Sequence, residues 1–520
     1  MAVTIDRSFG FLLLLLSCIG MASMARGTAC PDGPYAQGVT GPPILVGDWE
    51  APVAFSYEPL HAVMLKTGKV LTWSTTIIRQ WDPSSGTLSV IGIASQSLFC
   101  SGHNHAADGR VYVIGGGPNN NPFAHTWIVD PDTPALTQAA NMAAPRWYPT
   151  LIALSDGRLA AFAGHTAAAM NDASDTPELY SPASATWEPQ DQLTRTLELE
   201  DYAKVFELPS PPGQMVHLSE SAAIGASMFT FSDGWGQNHP SPLRVGDTAS
   251  AVYLDGSILT TATSSQNILL PEPGSQLFDG VSSWTQLASP QFPRLLATLV
   301  ALPNGQVAYM GGIANQTEGA RNASCAIYAP EIYDPEDNTW SLGASHQHEH
   351  LYHSTALLLP DGRIWLASGG AIPFDPALEV YRPWYWHAPR VSIESAPASF
   401  RYGGTYGVDT DSSAVGKWVT LIRLGAPTHN FDQSQRLVVP ASSERAAPES
   451  DVLDVTTPSP FEAPPGYYYL SVVDSAGVPS ISRIVRIQAR SRCGLLGVEA
   501  LLPVALSLRR RRRMAAGELG

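Results

Sequence analysis

One phrase recurs seven times along this chain: an apolar strand, a tight turn ending in glycine, and a second apolar strand. The copies are HAVMLKTGKVLTW from His61, HNHAADGRVYVIGGG from His103, TLIALSDGRLAAFAG from Thr150, KVFELPSPPGQMVHL from Lys204, SAVYLDGSILTTAT from Ser250, TLVALPNGQVAYMGG from Thr298 and STALLLPDGRIWLASGG from Ser354. Their turn glycines, Gly68, Gly109, Gly157, Gly213, Gly256, Gly305 and Gly362, stand 41 to 57 residues apart. That interval is long enough for one four-stranded antiparallel sheet per copy. A β-sandwich needs no repeat at a long fixed period, so the pattern predicts a seven-bladed β-propeller. Asp-Gly and Asn-Gly suit the turn because its backbone requires positive φ. A strand around Ile44 to Val46 is expected to complete the last blade and close the ring without an exposed edge.

Several copies continue into an outer phrase, TyrSerPro with Trp187, TyrAspPro with Trp340 and LeuPheAsp with Trp284, which resembles the outer strands of kelch blades. After Tyr381 the phrase stops. Short strands such as TrpValThrLeuIle from Trp418 and GlyTyrTyrTyrLeuSerValVal from Gly466 then predict an immunoglobulin-like β-sandwich. The expected all-β organisation is a signal peptide at 1–29, a seven-bladed kelch-type propeller at 30–385, the immunoglobulin-like domain at 386–489 and a tail at 490–520.

The two ends carry addresses rather than fold. Arg7, an apolar run from Phe9 to Ile19 and small residues up to Ala29 have the layout of a secretory signal, too short to span a bilayer. A lipoprotein cleavage ahead of Cys30 is a second reading. Cys493, an apolar stretch from Gly494 to Leu508 and the run Arg509 to Arg513 resemble the C-terminal sorting tags of Gram-negative bacteria. That order fits transient attachment to the inner membrane with the arginines inside. The chain is therefore expected to be exported: periplasmic, at the outer surface or secreted. Between the ends stand Cys30, Cys100 and Cys325, an odd number, and a Cys30–Cys325 disulfide would leave Cys100 for another purpose. A formal net charge of -16 disfavours nucleic acid and anionic membranes as partners, and small uncharged substrates stay open.

A propeller serves enzymes and binding platforms alike, so function must come from particular residues. Four segments resemble the copper-site segments of the galactose oxidase and glyoxal oxidase family: LeuPheCysSerGly with Cys100, ArgTrpTyrProThr with Tyr148, LeuTyrHisSer with Tyr352 and His353, and AlaProThrHisAsn with His429. AlaProProGlyTyrTyrTyrLeu and AspSerAlaGlyValProSer further resemble the C-terminal domain of galactose oxidase. The resemblance runs from about Val46 to Ile487. It implies one copper ion bound by Tyr148, Tyr352, His353 and His429, and a thioether joining Cys100 to Tyr148 that stores the second electron as a radical. It also implies Tyr352 as the base for the substrate hydroxyl, O2 as oxidant and H2O2 as product. A small primary alcohol or aldehyde, including a sugar, is the expected substrate, and a monomer the expected state. Each residue taken alone has a bland reading as a packed aromatic, small buried thiol or turn histidine.

The alternative function is a catalytically silent propeller that binds carbohydrate or a cell-surface partner. Where galactose oxidase places a tryptophan over its thioether, the matching position here is Thr166, beside His165, which points away from galactose and toward the glyoxal oxidase branch or a bacterial alcohol-oxidising relative. His103 and His105 are candidate pocket residues of lower rank. The run from His346 to His350, HisGlnHisGluHis, invites a zinc assignment, but strand alternation would send its neighbours to opposite faces, and the spacing is not that of a zincin.

Overall fold

A computed structural model describes residues 30, 35–118, 121–167, 174–194, 199–245, 250–262, 272–315, 321–370, 376–411, 416–446 and 448–488. The expected signal peptide and the sorting tail with Cys493 lie outside the described residues. The fold is all-β: among the described residues helix is confined to one α-turn, Pro43–Val46, and three 3-10 turns. No described helix is long and apolar enough to cross a membrane.

All seven hairpins form, and each of the seven turn glycines has φ between +79° and +97°. Their first strands, His61–Met64, Gly102–His105, Thr150–Ala153, Lys204–Glu207, Ala251–Leu254, Thr298–Ala301 and Thr355–Leu358, are buried almost throughout. Each hairpin gains further strands on its other side to make a four-stranded antiparallel unit, numbered here first to seventh in chain order. The outermost strands, such as Thr87–Ile93 and Ala135–Gln138, face water and alternate poorly, as an edge against solvent allows.

The last unit is completed by the start of the chain, but not where the sequence pattern suggests. Pro42 and Pro43 fix φ near the helical value, so Pro43–Val46 winds into a helical turn. Asp48–Trp49 is the strand instead, pairing antiparallel with Ala377–Arg382, and an Arg382–Asp48 ion pair of 2.6 Å secures it. Gly47 makes the corner at φ +69°, where a Cβ would sit 2.5 Å from the Arg382 carbonyl oxygen. Cys30 and Cys325 form a disulfide that ties the preceding segment to the sixth unit.

Residues beyond Arg382 form two further groups of strands. Ile393–Ser395, Thr405–Thr410, Val452–Thr456 and Ser442–Glu444 make one sheet. Arg436–Val438, Trp418–Arg423, Gly466–Val473, Arg483–Gln488 and Ser399–Arg401 make the other, which continues through Arg436–Val438 into Ala251–Leu254 of the fifth unit. Between Arg423 and Arg436 the chain leaves this sheet and runs among the buried first strands. Thr428 pairs with His61, Gln433 binds Asn104 and the Leu151 amide, and Gln435 accepts from the Ala301 amide at 2.9 Å. Strands of four different units are thus laced to one segment. Asp432 holds its shape by accepting the amides of Ala426, Ser434 and Gln435.

Candidate metal centre

Among the described residues, five units repeat one backbone conformation two places ahead of their first strand. Cys100, Tyr148, Tyr202, Leu296 and His353 each stand two residues before such a strand, with φ of +58°, +63°, +48°, +58° and +75°. Left-handed backbone costs about 1–2 kcal/mol for a residue with a Cβ, so five occurrences at one register mark an arrangement the surrounding contacts enforce. His429, at the tip of the segment 425–436, is also left-handed at +55°. The backbone is stitched across units: the Tyr148 amide donates to the Cys100 carbonyl and the Tyr202 amide to the Tyr148 carbonyl, both at 3.0 Å.

Cys100, Tyr148 and His353 at this register, with Tyr352 next to His353 and His429 from the segment 425–436, bring all five candidate residues together. The Tyr148 and Tyr352 hydroxyls are 2.8 Å apart, and Cys100 Sγ lies 3.9 Å from His429 Nε2. One ligand atom each from Cys100, His353 and His429 falls within 4.8 Å of the other two. The Tyr352 and His353 rings stack at 4.0 Å, and His353 meets His429 edge-on at 4.7 Å. Tyr148, His353, His429 and Cys100 are buried, and Tyr352 is partly exposed. Cys100 carries the chain's free thiol among the described residues.

The two histidines are set differently. Thr428 Oγ1 engages His429 Nδ1 at 2.8 Å, which turns Nε2 toward Cys100 and the tyrosines. Arg321 Nη2 lies 2.7 Å from His353 Nδ1 and is ion-paired with Glu58, whose other oxygen is 3.7 Å from the same nitrogen. His353 Nε2 is buried without a hydrogen-bond partner. Burial lowers the pKa of both imidazoles, so both are neutral and offer lone pairs at neutral pH. Burial, with the neighbouring Cys100, raises both phenols far above the usual tyrosine value. A nearby cation is what would ionise them. Two imidazole nitrogens, one of them the unsatisfied Nε2 of His353, and two phenol oxygens form a donor set that fits Cu(II).

Tyr202 belongs to the cluster and was not singled out from the sequence. Its ring centroid is 5.2 Å from Tyr148 and 4.7 Å from His429, and its hydroxyl donates to the Ser101 carbonyl at 3.2 Å. The signal was available, because Tyr202 holds the same register before its strand as Cys100, Tyr148 and His353. An indole does lie against Tyr148, but it is that of Trp147, at 4.2 Å. His165 bridges to Trp147 through the backbone and pairs with Asp201 at 2.9 Å. His103 packs on Trp73 and His61, and His105 binds the Met64 carbonyl, so both are held in the core rather than among the donors. A cleft of about 990 Å³ lies elsewhere, lined by Asp255, Asp334, Trp384 and Trp418.

Comparison with known proteins agrees at two separate stretches. Residues 390–487 match the family described as galactose oxidase-like, early set domain, and residues 276–374 match the glyoxal oxidase N-terminus. Over these two stretches the chain is similar to the galactose and glyoxal oxidases. It is an enzyme of their copper-radical oxidase class. Galactose oxidase of Gibberella zeae is 28% identical over 513 residues, covering 87% of this chain and 72% of that protein. Aldehyde oxidase GLOX1 of Arabidopsis thaliana is 22% identical, covering 82% and 77%. A copper-bound fungal alcohol oxidase of the AA5 family superposes with a TM-score of 0.72 at 22% identity, covering 85% of this chain and all of that one, and so shares its fold.

Proposed function

We propose that this chain is an exported oxidase that converts a small primary alcohol or aldehyde to the next oxidation level with O2, releasing H2O2. Its scaffold is a seven-bladed kelch-type propeller capped by an immunoglobulin-like domain. The observation that carries the reading is the gathering of Cys100, Tyr148, Tyr352, His353 and His429, drawn from four distant parts of the chain, into one buried cluster. A disulfide between Cys30 and Cys325 suits the oxidising compartment that export implies.

Tyr148, Tyr352, His353 and His429 would hold one copper ion, which when bound supplies a one-electron acceptor and the place where O2 is reduced. Oxidising an alcohol removes two electrons and two protons, so a second one-electron store is needed. Tyr148, joined to Cys100 by a thioether, fills that role, because a sulfur substituent makes the phenol ring easier to oxidise. Tyr352 is the partly exposed member and faces incoming substrate, whose hydroxyl proton its phenolate accepts. The Tyr148 ring then takes the hydrogen from the substrate carbon. Glu58, ion-paired with Arg321 and 3.7 Å from His353 Nδ1, supplies the negative charge that holds this side of the imidazole in place. Trp147 and Tyr202 wall the Tyr148 ring from water.

Peptide mass mapping of the copper-loaded protein after reduction tests the reading without a guess at substrate. A Cys100 peptide joined to the Tyr148 peptide, lighter by two hydrogens than the sum of the two, is expected. Two separate peptides from protein that holds copper would overturn it in favour of a silent binding propeller.

A further inference from the structure

Two units share a buried frame that the seventh unit alters. In the third, Glu178 accepts the Ala143 and Ala144 amides and Arg146, whose Nη1 donates to the Ala163 carbonyl just past the second strand. In the sixth, Glu331 does the same for the Gln291 and Phe292 amides and for Arg294, which donates to the Gly311 carbonyl. In the seventh, Glu379 accepts the Gln347 and His348 amides, but the arginine's place is taken by His350. Its Nε2 is 3.0 Å from Glu379 Oε2, and its Nδ1 donates to the Ser368 carbonyl at 2.9 Å.

The shorter imidazole admits a second one. His346 Nδ1 donates to the His348 carbonyl at 2.7 Å, which leaves the lone pair on Nε2, and that nitrogen is buried with no partner. The two rings are 5.0 Å apart, and one ligand atom each of His346, His350 and Glu379 lies within 4.8 Å of the others. All three residues are at least 96% buried. Residues 346–350 are not strand, so the alternation that argues against a shared site from sequence does not operate here.

We propose that His346 Nε2, His350 Nε2 and Glu379 form a second, structural metal site that takes a zinc-class divalent cation. Two imidazoles and one carboxylate are a zinc donor set. Each histidine anchors its far nitrogen on a backbone carbonyl, the outer contact that fixes tautomer and ring orientation in such sites. Entry of the ion displaces the Nε2 proton of His350 to solvent and satisfies the otherwise orphaned His346 nitrogen. The ion would brace the loop that leads within two residues to Tyr352 and His353. The inference stands apart from the oxidase reading, since it shares no residue with that cluster.

The test is metal analysis by mass spectrometry of the full-length protein, loaded with copper, equilibrated with zinc chloride and dialysed. About one zinc per chain beside the copper is expected in the wild type. His350→Arg restores the arginine of the third and sixth units and is expected to fold, retain copper and lose zinc at least about tenfold. His346→Gln is expected to lose zinc likewise, and it decides the matter alone should His350→Arg not fold. Wild-type protein with no zinc above the level of either variant, or variants that keep their zinc, would overturn the site and leave His350 only as the hydrogen-bonding substitute for the arginine.

Discussion

Removing the charge of Glu178 tests whether the buried frame is what positions Tyr148. Arg146 is fully buried, its Nη2 lies 3.0 Å from Glu178 Oε1, and the next two residues are Trp147 and Tyr148. In Glu178→Gln the guanidinium loses its counter-charge where water cannot replace it. The new amide also presents N–H either to the Ala143 amide or to the Ala144 amide and the guanidinium, a donor facing donors. Breaking one partner of a buried ion pair costs about 3–5 kcal/mol, against about 0–1 kcal/mol for an exposed pair. Urea unfolding followed by tryptophan fluorescence measures this. In the Arg146→Met background the same change should cost about 2–3 kcal/mol less, because no orphaned cation is left. The yield of the Cys100–Tyr148 cross-link should fall alongside stability. A cost under about 1 kcal/mol for Glu178→Gln, or no coupling with Arg146→Met, would refute the argument that this pair holds the site.

Cys100→Ser should bind copper normally yet lose roughly two orders of magnitude or more in peroxide release, about 3 kcal/mol of barrier; full activity would remove the radical store from Tyr148. His429→Ala should lose copper in equilibrium dialysis while retaining its fold by circular dichroism, since the lacing of segment 425–436 depends on Asp432, Gln433 and Gln435 rather than on the imidazole. Tyr202→Phe removes the hydroxyl that bonds the Ser101 carbonyl and Thr428, about 1–2 kcal/mol, and should leave turnover nearly unchanged, whereas Tyr202→Ala exposes the Tyr148 ring and should shorten the lifetime of its oxidised form, read by electron paramagnetic resonance. Asp432 is fully buried, and burial outweighs its three amide hydrogen bonds to raise its pKa from 3.8 to about 6. The folded state therefore holds a proton that the unfolded state releases, and this group's contribution to stability should fall by about 3 kcal/mol as pH rises from about 4 to about 6. Asp432→Asn should abolish that part of the slope in urea titrations, and an unchanged slope would assign it elsewhere.

Local chemistry was legible in the chain. Seven glycine turns announced seven hairpins because a short corner with a positive-φ glycine and flanking apolar runs depend only on residues close in sequence. The segments around Cys100, Tyr148, Tyr352 and His429 could be picked out for the same reason: each is a short run with its own pattern. What required the tertiary structure was every relation between runs. Asp48–Trp49 rather than Ile44–Val46 completes the seventh unit because Gly47 and Arg382 meet only when the two ends of the sheet are brought together. Tyr202 joins the cluster, and His103 and His105 do not, because left-handed backbone ahead of one strand aims a side chain at the donors while positions inside a strand point into packing. His346, His350 and Glu379 converge because a carboxylate 29 residues beyond His350 folds back under its loop. Sequence periodicity encodes hydrogen bonds between near neighbours, whereas the placement of side chains from distant units follows from how the sheets pack, which no single stretch of the chain contains.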